Sequence, residues 1–159
     1  MAAVAAGSRT TSPISEAAVI ATANPTPEAR ADAGPLRILL ADDNVDFVTS
    51  MATLLEACGH VVGITHDGME ALEKAPGFKP ELCFLDIGLP RLHGYDLARR
   101  LRALPETRDA VLVAISGWGQ PEDRRRSLEA GFHHHLAKPV DFDQIESLLN
   151  EFSAARRRS

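Results

Sequence analysis

The stretch LRILLADDN, residues 36–44, joins a short apolar run to two aspartates and an asparagine. A run that is apolar at almost every position is typical of a strand buried on both faces of a parallel sheet. Asn44 or Asp46 favours the start of a helix, because each side chain can accept a hydrogen bond from an unpaired backbone N–H. Asp42 and Asp43 therefore lie where a predicted buried strand passes into a predicted helix.

This alternation of apolar run and amphipathic segment continues to residue 155. Proline and glycine mark several boundaries, so we expect one helix to end at Pro76 and another before Pro105. Five strand–helix units in series predict an α/β fold with a doubly wound parallel sheet. The predicted strands are 36–41, 60–65, 81–87, 110–116 and 133–137, and the helices that follow them are 47–58, 68–75, 94–104, 121–131 and 141–155.

The chain divides by composition into a tail and one domain. Residues 1–35 are rich in Ala, Ser, Thr and Pro and show no sustained period, so we expect a disordered tail. Residues 36–155 form the predicted domain, and 156–159 a basic end. A chain of 159 residues is long enough for one ordinary core.

Charge and hydropathy exclude several classes of protein. The formal net charge of −5 provides no basic field for non-specific binding of nucleic acid. No apolar run approaches the roughly 20 residues of a membrane helix, and we expect no secretory signal before the domain. Cys58 and Cys83 lie far apart, which favours reduced, buried thiols and a cytoplasmic protein.

Chemically active residues follow four of the five predicted strands. Asp42 and Asp43 follow the first, Asp86 ends the third, Ser116 ends the fourth and Lys138 follows the fifth. The carboxyl ends of parallel strands meet at one edge of a sheet. Three carboxylates brought together there need a cation, and Mg²⁺ suits oxygen ligands that also face phosphate. Lys138 can pair with a phosphoryl oxygen, because its ammonium group is a compact positive charge.

Structural roles compete with this hypothesis. Asp42 and Asp43 could simply cap a helix, since aspartate is common at that position. Lys138 could be a solvated loop residue, although it is one of only three lysines in the chain. Asp86 is harder to explain structurally, because an unpartnered carboxylate at the end of a buried strand loses its hydration.

Four motifs, LLADDN, CFLDIGLP, VAISG and HLAKPV, resemble in order and spacing those of response-regulator receiver domains of two-component signalling. The resemblance covers about residues 36–155, and the sequence is most similar to receivers attached to hybrid sensor kinases. It implies a CheY-like, flavodoxin-like fold: a five-stranded parallel sheet in the order 2-1-3-4-5 with five helices.

The resemblance also implies a phosphoryl-acceptor site. Asp86 would be the nucleophile that takes a phosphoryl group from a phosphohistidine and forms an acyl phosphate. Asp42 and Asp43 would hold Mg²⁺ together with Asp86, and the backbone carbonyl of Gly88 would supply a further ligand. Catalysis would then consist of positioning and charge neutralisation, without turnover as an enzyme.

The remaining motif residues would respond to phosphorylation. Ser116 would turn its hydroxyl toward the phosphoryl oxygen, and Lys138 would pair with that oxygen. Pro139 would follow a cis peptide bond that orients the lysine loop. His135 occupies a position where tyrosine or phenylalanine is common in receivers. The coupling between the Ser116 hydroxyl and this ring is therefore expected to differ from that in receivers with tyrosine or phenylalanine.

The expected protein is a single-domain response regulator without a DNA-binding domain. Its partners would be a histidine kinase or histidine phosphotransfer protein and a downstream protein. It would signal through the face formed by helix 4, strand 5 and helix 5, which could also form a homodimer, or pass the phosphoryl group on. One rival is a scaffold that works without phosphorylation. A second rival, an aspartyl-phosphate hydrolase, lacks its second carboxylate because Gly88 stands there.

His133, His134 and His135 are consecutive and raise the question of a metal site. Neighbouring residues of a strand point to opposite faces, so at most His133 and His135 share a side. Without another ligand at suitable spacing, a zinc site is not predicted. His133 and His134 are assigned to packing and surface, and His135 to the switch.

Overall fold

The structure, a computed structural model, describes residues 34–117 and 121–158. Five strands and five helices alternate along this part of the chain, as the apolar pattern predicts. Most of the predicted tail, residues 1–33, lies outside the described residues. The strands are β1 Arg37–Ala41, β2 Val61–Thr65, β3 Leu82–Asp86, β4 Val111–Ser116 and β5 His134–Ala137, and the helices are α1 Val45–Ala57, α2 Gly68–Phe78, α3 Gly94–Ala103, α4 Pro121–Ala130 and α5 Phe142–Arg158.

All neighbouring strands pair in parallel, in the order β2-β1-β3-β4-β5. The predicted fold is therefore confirmed: a flavodoxin-like α/β sheet. The register places Ala41 beside Leu85 and Asp86 beside Ile115. The residues that follow β1, β3 and β4 consequently share one edge of the sheet, which positions the candidate site.

Alternation along the strands divides the core between the two faces of the sheet. Every second residue of the central strands joins one cluster with apolar side chains of α2 and α3, because side chains along a strand alternate between its faces. Helix α3 packs between α2 and α4 on this side. The strand residues of this cluster are Leu39, Ala41, Cys83, Leu85, Leu112 and Ala114, and all are buried.

The sheet and the helices up to Leu148 form one compact unit, Pro35–Leu148. Gly34 and residues 149–158 are the described part of a second unit, and the latter are helical. No helix in the described ranges is both long and apolar enough to cross a membrane.

Helix α2 departs from the sequence prediction, because it passes through Pro76 and ends at Phe78. The prediction of an end at Pro76 is wrong: the helix continues for two residues past this proline, which costs it one hydrogen bond, and ends at Phe78. Lys79 then ends the helix in the left-handed conformation, with φ of 55°, and its N–H donates to the carbonyl of Ala75 at 2.8 Å.

Candidate functional site

Asp42 and Asp86 lie side by side at the carboxyl edge of the sheet, because β1 and β3 are hydrogen-bonded neighbours. Both are buried, with 3% and 7% of their surface exposed, whereas Asp43 is exposed. One carboxylate oxygen from each of the three lies within 4.8 Å of the others. The structure thus brings together the three carboxylates that the sequence predicts for one site.

Lys138 supplies the positive charge of the cluster from the loop after β5. Its Nζ lies 3.2 Å from Oδ2 of Asp42 and 3.6 Å from Oδ1 of Asp86. The first contact is an ion pair without hydrogen-bond alignment, so Oδ2 of Asp42 is a buried oxygen without a hydrogen-bond donor in the described part of the chain. The peptide bond between Lys138 and Pro139 is cis.

Helix capping does not account for the aspartates. The N-cap of α1 is Asn44, whose side chain accepts a hydrogen bond from the N–H of Phe47 at 3.1 Å. Oδ1 of Asp42 accepts from the N–H of Asn44 at 2.9 Å, which fixes this carboxylate against the turn. Asp43 therefore has no capping role, and the structural alternative for the pair is wrong.

For both Asp86 and Lys138, burial and the attraction of the oppositely charged neighbour shift the pKa in opposite directions. Burial raises the pKa of Asp86, as does the charge of Asp42, while Lys138 opposes both. For Lys138, burial lowers the pKa, but the attraction of Asp86 and Asp42 outweighs it, so the pKa is raised. Lys138 consequently stays cationic, and Asp86 depends on nearby positive charge to remain an ionised carboxylate.

Gly88 leaves open space beside Asp86. It is exposed, and a Cβ added to it would meet nothing within 4 Å. Its N–H donates weakly to Oδ1 of Asp86 at 3.4 Å. The following turn is fixed more tightly, since a Cβ on Gly94 would lie 2.6 Å from Cα of Ile87.

Ser116 lies at the same edge, at the end of β4, and is buried. Its Oγ is 2.9 Å from Nε2 of His135, and Nδ1 of the same ring is 3.0 Å from Oγ of Ser127 in α4. The N–H of Lys138 donates to the carbonyl of Ser116 at 2.8 Å. The two predicted switch residues are thus in direct contact, together with a third residue that sequence reasoning missed.

Two more residues near the cluster were missed. Nζ of Lys138 lies 5.9 Å from the ring centroid of Phe47, within the range of a cation–π contact. His66 follows β2, which was expected to contribute nothing, and its Nδ1 is 3.3 Å from the carbonyl of Asp42. The sequence could have indicated a role for His66, because this residue comes directly after a predicted strand. Phe47 gave no such indication, because it resembles any apolar residue of an amphipathic helix.

The three consecutive histidines do not form a metal site. Nδ1 of His133 accepts a hydrogen bond from the N–H of Leu112 at 3.2 Å and lies 2.9 Å from an Arg102 nitrogen. His134 is exposed, and His135 contacts the two serines. Among the described residues, the group suited to a metal consists of the aspartates.

A comparison with models of known protein families shows to which family the chain belongs. The model of the response regulator receiver domain matches residues 38–150, which span the sheet and the aspartate cluster. The chain belongs to this family. Receiver domains are signalling domains of two-component systems; they interact with histidine kinases or phosphotransfer proteins and bind Mg²⁺ at an acidic pocket.

Two of the curated relatives are bacterial regulators of greater length than this chain. The chain is 37% identical over 103 residues to a gliding motility regulatory protein of Myxococcus xanthus, covering 65% of this chain and 13% of that protein. It is 32% identical over 124 residues to the response regulator MprA of Mycobacterium ulcerans, covering 78% of this chain. The chain spans 51% of that regulator's length.

Solved receiver structures share the fold. A CheY-like receiver domain protein of Methanospirillum hungatei superposes with a TM-score of 0.72 at 26% identity, covering 79% of this chain and 98% of that one. The receiver domain of the sensor histidine kinase PA1611 of Pseudomonas aeruginosa gives 0.69 at 28% identity, with coverage of 76% and 99%. That structure holds a magnesium ion coordinated in its active-site cleft.

The residues of this chain fit such an ion. The three clustered oxygens are hard ligands of the type that Mg²⁺ prefers, and Oδ2 of Asp42 is buried with a lysine contact but no hydrogen-bond donor. Asp43 keeps the cluster open to water on one side, which suits an ion that retains several water ligands.

Proposed function

We propose that Asp86 accepts a phosphoryl group from the phosphohistidine of a histidine kinase or a phosphotransfer protein. A carboxylate oxygen of Asp86 forms a bond to phosphorus while the bond from phosphorus to the donor imidazole nitrogen breaks and its electron pair stays on the imidazole. The observation that carries this proposal is a buried carboxylate beside an open glycine position, held within 3.6 Å of a lysine.

The proposed metal ligands are Asp42, Asp43, Asp86 and the backbone carbonyl of Gly88. When bound, Mg²⁺ would neutralise negative charge on these carboxylates and on the phosphoryl oxygens. Asp42 is held in place for this role by the N–H of Asn44. Asp43, exposed beside the buried pair, contributes charge at the mouth of the site.

Lys138 and Ser116 are proposed to hold the phosphoryl group after transfer. Lys138 Nζ lies between the two buried carboxylates and would move its contact from Asp86 to a phosphoryl oxygen. Ser116 would donate its hydroxyl proton to another phosphoryl oxygen, and His135 would respond because it contacts that hydroxyl. Pro139 shapes the loop that carries the lysine.

Output is proposed to use the face formed by α4, β5 and the first turns of α5. The contact between His135 and Ser127 connects the site to α4 on this face. A downstream protein or a second copy of the chain would recognise the changed surface, or the phosphoryl group would pass to another histidine. The open position at Gly88 favours such a relay, because no side chain there shields the phosphoryl group.

Intact-mass measurement after incubation with acetyl phosphate and Mg²⁺ tests this function. Wild type should gain one phosphoryl group, and Asp86→Asn should gain none. Asp109→Asn, an exposed aspartate just before β4 at the opposite edge, is the matched control and should behave as wild type. No gain with any donor would favour a phosphorylation-independent scaffold. Sustained turnover of a phosphomonoester would instead identify a hydrolase.

A further inference from the structure

A continuous hydrogen-bonded chain connects the end of β4 with helix α4. It runs from Oγ of Ser116 to Nε2 of His135 over 2.9 Å, and from Nδ1 of His135 to Oγ of Ser127 over 3.0 Å. Ser116 and Ser127 are 3% and 1% exposed, so both hydroxyls are shielded from bulk water. A ring held at both ends by buried hydroxyls links the two elements directly.

Imidazole has properties that make this link directional. In its neutral form, one ring nitrogen donates and the other accepts, whereas a serine hydroxyl can do either. The direction of one hydrogen bond therefore sets the direction of the other through the ring. A phenylalanine ring at position 135 would offer no such connection, and a phenol would offer one polar end.

We propose that His135 and Ser127 are positioning residues that carry the state of the Ser116 hydroxyl into helix α4; this rests on the phosphoryl-acceptor function proposed above. When Ser116 donates its single proton to a phosphoryl oxygen on Asp86, its oxygen can act only as an acceptor toward His135. Nε2 must then carry the ring proton, Nδ1 must accept, and Ser127 must donate. Each of the two tautomers carries one ring proton, and because His135 is only half-buried, solvent can take the proton from Nδ1 and return one to Nε2.

The link ends beside a cavity of about 260 Å³ between α4 and β5. Ser127 and His135 share its lining with Arg124, the charged residue of that wall, and with Leu128, which is 65% exposed. The other titratable groups that line the cavity are His133 and His134 of the strand side. Reorientation at Ser127 would therefore reach side chains that a partner can contact.

Nuclear magnetic resonance of the whole chain, with beryllium fluoride and Mg²⁺ as a phosphoryl mimic, tests the proposal. In wild type, the amide signals of Ile87 and Gly88 should shift on binding, the signals of α4 should shift with them, and ring ¹⁵N signals should place the His135 proton on Nε2. In Ser127→Ala and His135→Phe, the shifts at Ile87 and Gly88 should remain, while those of α4 should fall to less than half.

His134→Phe is the matched control, since this neighbouring histidine is exposed and should leave the α4 response intact. Full α4 shifts in both variants, or a His135 proton on Nδ1 in the bound form, would overturn the proposal. Absence of any shift at Ile87 and Gly88 in wild type would instead refute the phosphoryl-acceptor function and the positioning role with it. Two variants are used because Ser127→Ala removes a single oxygen atom, so it provides a second test if replacement of the ring disturbs the fold.

Discussion

Replacing Lys138 with methionine should destabilise the metal-free protein, because it removes a cation that faces two buried carboxylates. Nζ lies 3.2 Å from Asp42 and 3.6 Å from Asp86, and methionine keeps much of the apolar stem. Without the ammonium group, the two carboxylates repel each other in a site where 3% and 7% of their surfaces are exposed. We expect a loss of stability and a further rise in the pKa of Asp86.

The magnitude follows from the geometry of the site. Two unit charges 3.2 Å apart attract by about 5 kcal/mol at an effective dielectric constant of about 20. Desolvation of the partners offsets most of this, and breaking a buried pair by removing one member costs about 3–5 kcal/mol. Since Lys138 is 33% exposed, solvent screening reduces the loss to about 2–3 kcal/mol.

Magnesium should reduce that loss. A divalent ion binding to the same carboxylates replaces the missing positive charge, and Lys138 no longer competes for Oδ2 of Asp42 in the variant. Ligand binding to the folded state at 100 times its dissociation constant contributes about 2.7 kcal/mol. The variant should bind Mg²⁺ more tightly than wild type, so its deficit should shrink as the ion is added.

Urea unfolding in chelator and in Mg²⁺ measures both effects. Lys74→Met, which replaces an exposed lysine of α2, is the control and should change stability by less than about 0.5 kcal/mol in either condition. An equal deficit of Lys138→Met with and without Mg²⁺ would refute the reasoning, because it would separate the lysine from the metal site. Unchanged stability of Lys138→Met in chelator would show that the ion pairs of Lys138 do not stabilise the folded protein.

Three further predictions concern Gly88, Gly68 and His133. Gly88→Met should lengthen the acyl-phosphate lifetime severalfold by placing a side chain in open space, and an unchanged decay rate would contradict this. Gly68→Ala should lower the free energy of unfolding by about 1–3 kcal/mol, because its Cβ would overlap the Leu92 carbonyl; urea unfolding would show it. Burial and Arg102 lower the pKa of His133, so the unfolded chain binds its proton first, and stability should fall as pH drops below about 6.5. His133→Gln should flatten that part of the stability profile, measured by urea unfolding across pH.

The fold was predictable because burial imposes strong local patterns. Strands covered on both faces need uninterrupted apolar runs, and β3 is buried at every position. Once strands and helices alternate, a parallel sheet is the arrangement that buries them, and its carboxyl edge collects Asp42 and Asp86. The aspartate cluster therefore followed from sequence order and strand direction alone.

The missed contacts depend on how distant elements pack. Ser127 lies on a polar helix, and no pattern in the sequence shows that it faces His135 instead of water. Phe47 looks like any apolar residue of an amphipathic helix until Lys138 is placed above its ring. Pro76 was given too much weight, because the loss of its one N–H shortens the helix without ending it at the proline itself.

The number of charges at this edge predicts that the proposed phosphoryl transfer requires a divalent ion. When ionised, Asp42, Asp43 and Asp86 carry three negative charges, and Lys138 leaves two of them unbalanced. A phosphoryl donor brings more negative oxygens, and two like unit charges 4 Å apart repel by about 4 kcal/mol at an effective dielectric constant of about 20. One divalent cation cancels the excess that the lysine leaves. Phosphorylation of Asp86 should therefore depend on the cation being bound before the donor approaches, and raising acetyl phosphate alone should not replace it.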